Sequence, residues 1–304
     1  MDNVASIRQV LNTHIAEQKK SQTGIAKELD ISKTTLSLFL NGVYTGDNEE
    51  IANKVRQYLI MGNEKRALAK KPKFCENLSN ADKVLKTVRM THVTNDILLL
   101  YGPAGCGKTT ALKHYKEINS GVIYIEADAT TNSLHSMLTL IVESIGEEPK
   151  GSTAKMMRFL INKLSYSNRL IIIDEAQHLT IKTVDCLRAL NDKAYVSIVF
   201  SGNPKILKRM YGRMEEDYDQ VHSRIGYLCS LTNRHGIEDI MNLYDDFDIS
   251  DNCFQLMGKI ARRKGGLRRM VKQCSLAMNI ANATNEPLSP EHFDEADEYM
   301  GIIA

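Results

Sequence analysis

No run of about 18 or more apolar residues, the length an apolar helix needs to span a bilayer, occurs anywhere in the chain. The opening segment MDNVASIRQV does not follow the basic-then-apolar order of a secretion signal, so a cytoplasmic location is the expectation. The six cysteines, at 75, 106, 186, 229, 253 and 274, form no C-x-x-C pair, which argues against a zinc site and against a disulfide framework. H-E-x-x-H is absent too, so a zinc-protease helix is excluded. Charge of one sign is scarce: 39 Lys and Arg face 37 Asp and Glu, a net charge of +2. A strongly basic balance would announce nucleic-acid binding by itself; here such contact has to come from local patches. There are no internal repeats and no low-complexity tracts. What is left is ordinary for a folded chain, 43% hydrophobic and 25% charged, and 304 residues suffice for one large domain with one or two small ones.

Three regions and a linker separate by pattern. In residues 1–61, Ile7, Val10, Leu11 and Ile15 recur at helical spacing. Ser21 can cap a second helix carrying Ile25, Ala26 and Leu29, and Ser32 a third carrying Leu36, Phe39 and Leu40. Asn41-Gly42 stops that helix, and a fourth is expected over 49–60. Residues 62–73, GNEKRALAKKPK, read as a basic linker with Gly62 and Pro72 as breakers. From 74 to 232, short apolar runs at 97–101, 122–127, 170–173 and 196–201 alternate with helical stretches, which implies a mostly parallel sheet covered on both faces. From 233 to 304 strand signals vanish and four helical segments suggest an all-α lid. The expected fold class is therefore α/β, a P-loop core with a parallel sheet between an all-α amino-terminal domain and an all-α carboxyl-terminal lid.

The chemistry starts at Gly102-Pro103-Ala104-Gly105-Cys106-Gly107-Lys108-Thr109, which matches G-x-x-x-x-G-K-[ST] between an apolar run and a helix that continues with Thr110. Glycines let backbone N–H groups turn inward around phosphates, and the helix amino terminus adds positive potential. Lys108 is expected at the β- and γ-phosphates of ATP and the Thr109 hydroxyl on Mg²⁺. Cys106 reads as a small residue tolerated in the loop rather than as a nucleophile. The run Leu170-Ile171-Ile172-Ile173-Asp174-Glu175 ends in two carboxylates, Asp174 and Glu175. Asp174 is expected to hold Mg²⁺ through water, and Glu175 to orient or deprotonate the attacking water. His178 lies one residue off the DEAH spacing of helicases and reads as structural.

Three further positions bring out a resemblance. Asn203, ending the run 198–203, resembles the sensor 1 residue of AAA+ ATPases, which helps place the lytic water. His222-Ser223-Arg224-Ile225 resembles the segment that presents an arginine finger to a neighbouring subunit, and Gly265-Gly266-Leu267-Arg268 resembles sensor 2, whose Arg touches the γ-phosphate. Cations at those places neutralise charge on the transferring phosphoryl group. The chain also resembles, nearly end to end, the MuB-like family of AAA+ transposition ATPases, related to the TnsC, TniB and IstB groups. The likeness is carried by Tyr44-Thr45-Gly46-Asp47-Asn48-Glu49, Pro72-Lys73-Phe74, the D-E-A-x-H run at 174–178 and Ser223-Arg224-Ile225. It implies a homo-oligomer, a helical filament or ring on double-stranded DNA in a bacterial host cell, that recruits and stimulates a DDE transposase.

DNA contacts are harder to place. Residues 22–42 resemble the helix-turn-helix of small phage repressors, which would direct Lys33, Thr34, Thr35 and Ser37 toward DNA. A helical docking module that only keeps that fold is the alternative. By likeness to related ATPases, Thr131, Lys150 and Lys155 of the core are candidates to face a DNA axis. The basic segment from Lys259 to Lys272 would serve DNA, a transposase or lid packing. Two other readings stand beside transposition: a transcription regulator whose ATPase switches its oligomeric state, and a helicase loader resembling the IstB relatives.

Overall fold

The computed structural model describes residues 4–18, 21–68, 71–210 and 225–301. The chain divides between Lys70 and Lys71 into two compact units. In the first, helices Val4–Gln18, Gln22–Glu28, Lys33–Leu40 and Asn48–Ala67 enclose a core of Ile7, Leu11, Ile25, Leu36, Phe39, Ile51 and Val55. Both serine caps form: the Ser21 hydroxyl accepts from the Gly24 N–H at 3.1 Å, and that of Ser32 from the Thr35 N–H at 2.9 Å. Gly42, at φ +75°, takes the left-handed turn that ends the third helix. The fourth helix corrects the expected linker. It runs to Ala67, so residues 62–67 are helical. One interior glycine costs a helix about 1 kcal/mol relative to alanine, and the sequence Glu64-Lys65-Arg66-Ala67 consists of strong helix formers that outweigh it.

The second unit is built on five parallel strands, β1 (Ile97–Tyr101), β2 (Val122–Glu126), β3 (Leu170–Asp174), β4 (Ser197–Gly202) and β5 (Tyr227–Ser230), in the order β2-β3-β4-β1-β5. Side chains alternate across the sheet. Leu98, Leu100, Ile172 and Val199 pack against helices Ser79–Thr94 and Lys108–Ile118. Leu99, Ile171, Ile173, Ile198 and Phe200 pack against Leu134–Ser144, Thr153–Leu164 and Ile181–Ala194. Both faces are covered, which is why these strands read as unbroken apolar runs. β5 is an edge strand whose one buried side chain is Cys229, too faint a pattern to register as a strand.

Helices Ile237–Leu243, Asp251–Ala261, Gly266–Thr284 and Pro290–Tyr299 form the lid around Ile240, Tyr244, Met257, Met270, Cys274 and Phe293. Its core also takes in Leu78 and Ala81 from the helix preceding β1. Among the described residues no helix is long and apolar enough to cross a membrane.

The connection from β5 into the lid carries a buried histidine, His235, only 2% exposed, whose ring nitrogens have no partner within hydrogen-bond distance among the described residues. Its Nδ1 is 3.6 Å from the Asp239 carboxylate, which also accepts from the backbone N–H and hydroxyl of Ser79, each at 2.9 Å. Burial pushes the His235 pKa below its ordinary value, partly offset by Asp239. A histidine whose folded pKa is depressed stabilises the fold above its unfolded value, about 6.5, and loses that contribution as pH falls toward the folded value. Chemical denaturation at about pH 7.5 and about pH 5.5 is therefore expected to show stability falling on the acid side, with a shallower fall in His235→Met.

Candidate nucleotide site

All strands point the same way, so their carboxyl ends share one edge of the sheet, where ligands bind in open α/β folds. Tyr101 of β1 is in register with Gly202 of β4, and Glu126 of β2 with Asp174 of β3. Because β4 lies between β1 and β3, the edge brings together the loop after Tyr101, the Asp174-Glu175 pair and Asn203.

In the loop, Gly105 and Gly107 have φ of +83° and +96°, conformations glycine adopts without strain. Lys108 opens the following helix, nearly buried, and its ammonium donates to the carbonyls of Gly102 (2.8 Å) and Pro103 (3.0 Å), with Cys106 Sγ at 3.6 Å. Cys106 is fully buried and its carbonyl accepts from the Asn80 side-chain amide, which also reaches the Thr232 carbonyl. The lid sits against the same loop. A Cβ on Gly105 would collide with the Gly265 carbonyl just before helix Gly266–Thr284, and the Asn233 amide donates to the Ala104 carbonyl at 3.4 Å.

Asp174 is completely buried and fully occupied. Its Oδ2 accepts from the Thr109 hydroxyl at 2.6 Å and the Tyr124 hydroxyl at 2.9 Å; its Oδ1 accepts from Ser201 at 2.7 Å and the Glu175 N–H at 3.0 Å. Four donors make a buried carboxylate tolerable. Burial first, and the Asp174 charge second, drive the Tyr124 pKa far upward, so this phenol stays a donor. Glu175 is a non-glycine residue at φ +53°, a strained conformation of the kind held at functional sites. Gln177, on the short turn Ala176–His178, hydrogen-bonds the Glu175 carboxylate through Nε2 and accepts the Asn203 N–H through Oε1 at 3.1 Å.

A cavity of about 550 Å³ opens here, within the range that ligand sites occupy. Residues 104–110, Glu175 and Arg268 line its polar side; Phe74, Leu78, Leu243, Leu267 and Val271 form an apolar wall. The structure thus brings Lys108, Thr109, Thr110, Glu175 and Arg268 to one cavity, with Asp174 beneath it. The Asn203 side-chain carbonyl accepts from the Lys205 N–H at 2.9 Å, and its backbone N–H joins the site through Gln177. Arg224 lies outside the described residues. The apolar wall was missed from sequence, because Phe74 and Leu78 precede the motif and the lid positions read as ordinary core periodicity. The signal for Gln177 was in plain view beside the carboxylate pair, without anything to give it a role.

The positions considered for DNA are more dispersed. On the first unit, Lys33 and Thr34 are exposed while Thr35 and Ser37 are half-buried, and the Thr35 hydroxyl is engaged with that of Ser32 at 2.8 Å. On the second, Thr131 exchanges hydrogen bonds with Asp128 at 2.7 and 2.9 Å, Lys150 pairs with Glu148 at 2.7 Å, and Lys155 is exposed. The basic segment of the lid divides its cations: Arg268 and Lys272 line the cavity, Arg269 pairs with Asp297 at 3.1 Å, and Lys259, Arg262, Arg263 and Lys264 are exposed.

A family model described as an AAA domain matches residues 91–210. Over 97% of this chain and 95% of theirs, the chain is 26% identical to proteins named ATP-dependent target DNA activator B of Escherichia phages D108 and Mu. It is 25% identical to the Mu-like prophage FluMu DNA transposition protein B of Haemophilus influenzae, covering 85% of this chain and 91% of that one. Among solved structures, a mutant RuvB of Thermotoga maritima superposes with a TM-score of 0.49 at 16% identity, covering 74% of this chain and 70% of the other. With the parallel sheet and the phosphate loop, the chain is an ATPase with an α/β AAA+ core flanked by helices, and its likeness to MuB-like proteins holds nearly end to end.

Proposed function

We propose that this AAA+ ATPase, a relative of phage proteins named target DNA activators, uses ATP to govern how long a homo-oligomer of itself stays on double-stranded DNA, and so selects transposition targets for a DDE transposase. One observation carries the reading. Near full-length likeness to those proteins coincides with a cavity that assembles Lys108, Thr109, Glu175 and Arg268 over a buried Asp174. In this reading residues 1–61 serve as the DNA-contacting module, 74–232 as the motor and 233–304 as the lid.

The donors around Thr109 and Asp174 suit Mg²⁺. A hydroxyl and a carboxylate oxygen lie 2.6 Å apart, both hard oxygen ligands, beside a loop made for phosphates. When bound, that ion would supply positive charge to offset the charge developing on the phosphates. Thr109 would ligate it directly and Asp174 through water. Lys108 turns from the loop carbonyls to the phosphates. Glu175 orients the attacking water and takes its proton, Asn203 helps to place that water, and Arg268 approaches the γ-phosphate from the lid. Arg224 reaches a neighbouring protomer's nucleotide, which makes hydrolysis depend on assembly; such a finger is worth about 10³–10⁵ in rate. ATP binding draws protomers together on DNA and hydrolysis releases them.

Electron microscopy of the chain on a random-sequence plasmid, with and without a nonhydrolysable ATP analogue, tests this. Long tracts on any duplex, present only with nucleotide, are the expected result. Occupancy confined to one operator with steep sequence preference would instead make the chain a transcription regulator and overturn the transposition reading.

A further inference from the structure

We propose that Gln177 is a positioning residue for hydrolysis, fixing the Glu175 carboxylate and tying it to the Asn203 backbone; the inference rests on Glu175 acting on the attacking water. Gln177 is 9% exposed, and both ends of its amide are spent. Nε2 donates to Glu175 Oε2, and Oε1 accepts the Asn203 N–H at 3.1 Å. The orientation of this amide is determined by its partners. A backbone N–H only donates and a carboxylate only accepts, so a flipped amide would lose both bonds and oppose like groups on each side.

The surrounding backbone is shaped to this arrangement. Gln177 reaches back to Glu175 from the short turn Ala176–His178, which starts from the left-handed Glu175, so the two side chains meet at a separation of two residues. Gly202, the residue before Asn203, has no side chain where a Cβ would strike Gln177 Oε1. Glutamine thus fills the space between the ends of β3 and β4, and it commits one carboxylate oxygen of Glu175. The other oxygen is left for water. A carboxylate without this bond would rotate freely about its last torsion, and its oxygen would meet the water in the productive direction only part of the time. Because the same amide holds the Asn203 N–H, the acid that handles water and the residue expected to place it move as one piece.

Four variants test this on the whole chain, with kcat, KM for ATP and ATP affinity measured together. Gln177→Met keeps length and apolar bulk but removes both the donor to Glu175 and the acceptor for the Asn203 N–H; kcat is expected to fall about 10- to 100-fold, of the order of one hydrogen bond to a charged group, with ATP affinity unchanged. Gln177→Glu still offers an acceptor to Asn203 but sets a carboxylate against Glu175. That side chain, buried beside a like charge, protonates more readily than an ordinary glutamate and then donates as the amide did. Its kcat relative to wild type is therefore expected to rise as pH falls from about 8 to about 5.5. The ratio to wild type removes the pH dependence of groups that the substitution leaves untouched. Packing alone would produce no such rise.

In Glu175→Gln, adding Gln177→Met is expected to cost much less than it does alone, since the larger part of the tether acts through the group already removed. A wild-type kcat in Gln177→Met, a flat pH ratio in Gln177→Glu, or a full second loss in the double variant each overturns the proposal. Should Gln177→Met misfold, the pH ratio of Gln177→Glu decides alone. Undiminished turnover in Glu175→Gln would instead overturn the role of Glu175 itself, which is a separate failure.

Discussion

Lys108→Ala is expected to weaken ATP binding by about 10²- to 10⁴-fold and to abolish nucleotide-dependent assembly with it. The magnitude follows from what the ammonium does. It is nearly buried and hydrogen-bonds two carbonyls of its own loop, at 2.8 and 3.0 Å. Turning to a polyphosphate, it would exchange those for two charge-assisted bonds, each worth about 1.5–3 kcal/mol, and about 1.4 kcal/mol corresponds to tenfold in affinity. Alanine removes those bonds and leaves the phosphate charge facing a loop without its cation. Titration with a fluorescent ATP analogue in the presence of magnesium measures the change, and sedimentation with the nonhydrolysable analogue reads assembly. Affinity near wild type would place the phosphates somewhere other than this loop.

The parts of this site visible in sequence are those where chemistry demands a residue type at a fixed spacing. Gly105 and Gly107 are needed because their φ values are positive, Lys108 and Thr109 because phosphate and metal require them one after the other, and Asp174 because a strand must end in a carboxylate at the ligand edge. The core strands were legible for a related reason: covering both faces turns them into uninterrupted apolar runs. What escaped notice is set by tertiary packing. Helix Ser79–Thr94 buries Ala81, Val84, Val88 and Thr91, small or β-branched residues that mark a helical stripe weakly. Strand β5 exists because the far edge of β1 is open to pairing, a fact about the sheet rather than about Tyr227–Ser230. Phe74 and Leu267, far apart in sequence, form one apolar wall only after the lid folds onto the helix before β1. Residues 62–67 extend the fourth helix because strong helix formers follow Gly62.

The lid and the phosphate loop touch directly. A Cβ on Gly105 would strike the Gly265 carbonyl, just before the lid helix Gly266–Thr284 that carries Arg268, and the Asn80 amide holds both the Cys106 and Thr232 carbonyls.

Glu175→Gln should separate binding from turnover. The substitution keeps size and leaves Asp174, Thr109 and Lys108 in place, so ATP affinity is expected within a few-fold of wild type. An amide cannot take a proton from water, and losing a positioned general base costs about 10²–10⁴ in rate. The variant also keeps one local contact. Gln177 now donates to a carboxylate; opposite an introduced amide it can still donate to that amide's oxygen, so the tether survives while the base is lost. If hydrolysis sets the residence time on DNA, this variant should bind duplex in the presence of ATP as wild type does with the nonhydrolysable analogue, and persist after free ATP is diluted. Single-turnover kinetics and a dilution chase on labelled DNA measure the two effects in one preparation. Slow hydrolysis with ordinary release from DNA would disconnect the motor from the clock; rapid hydrolysis would move the base to another residue.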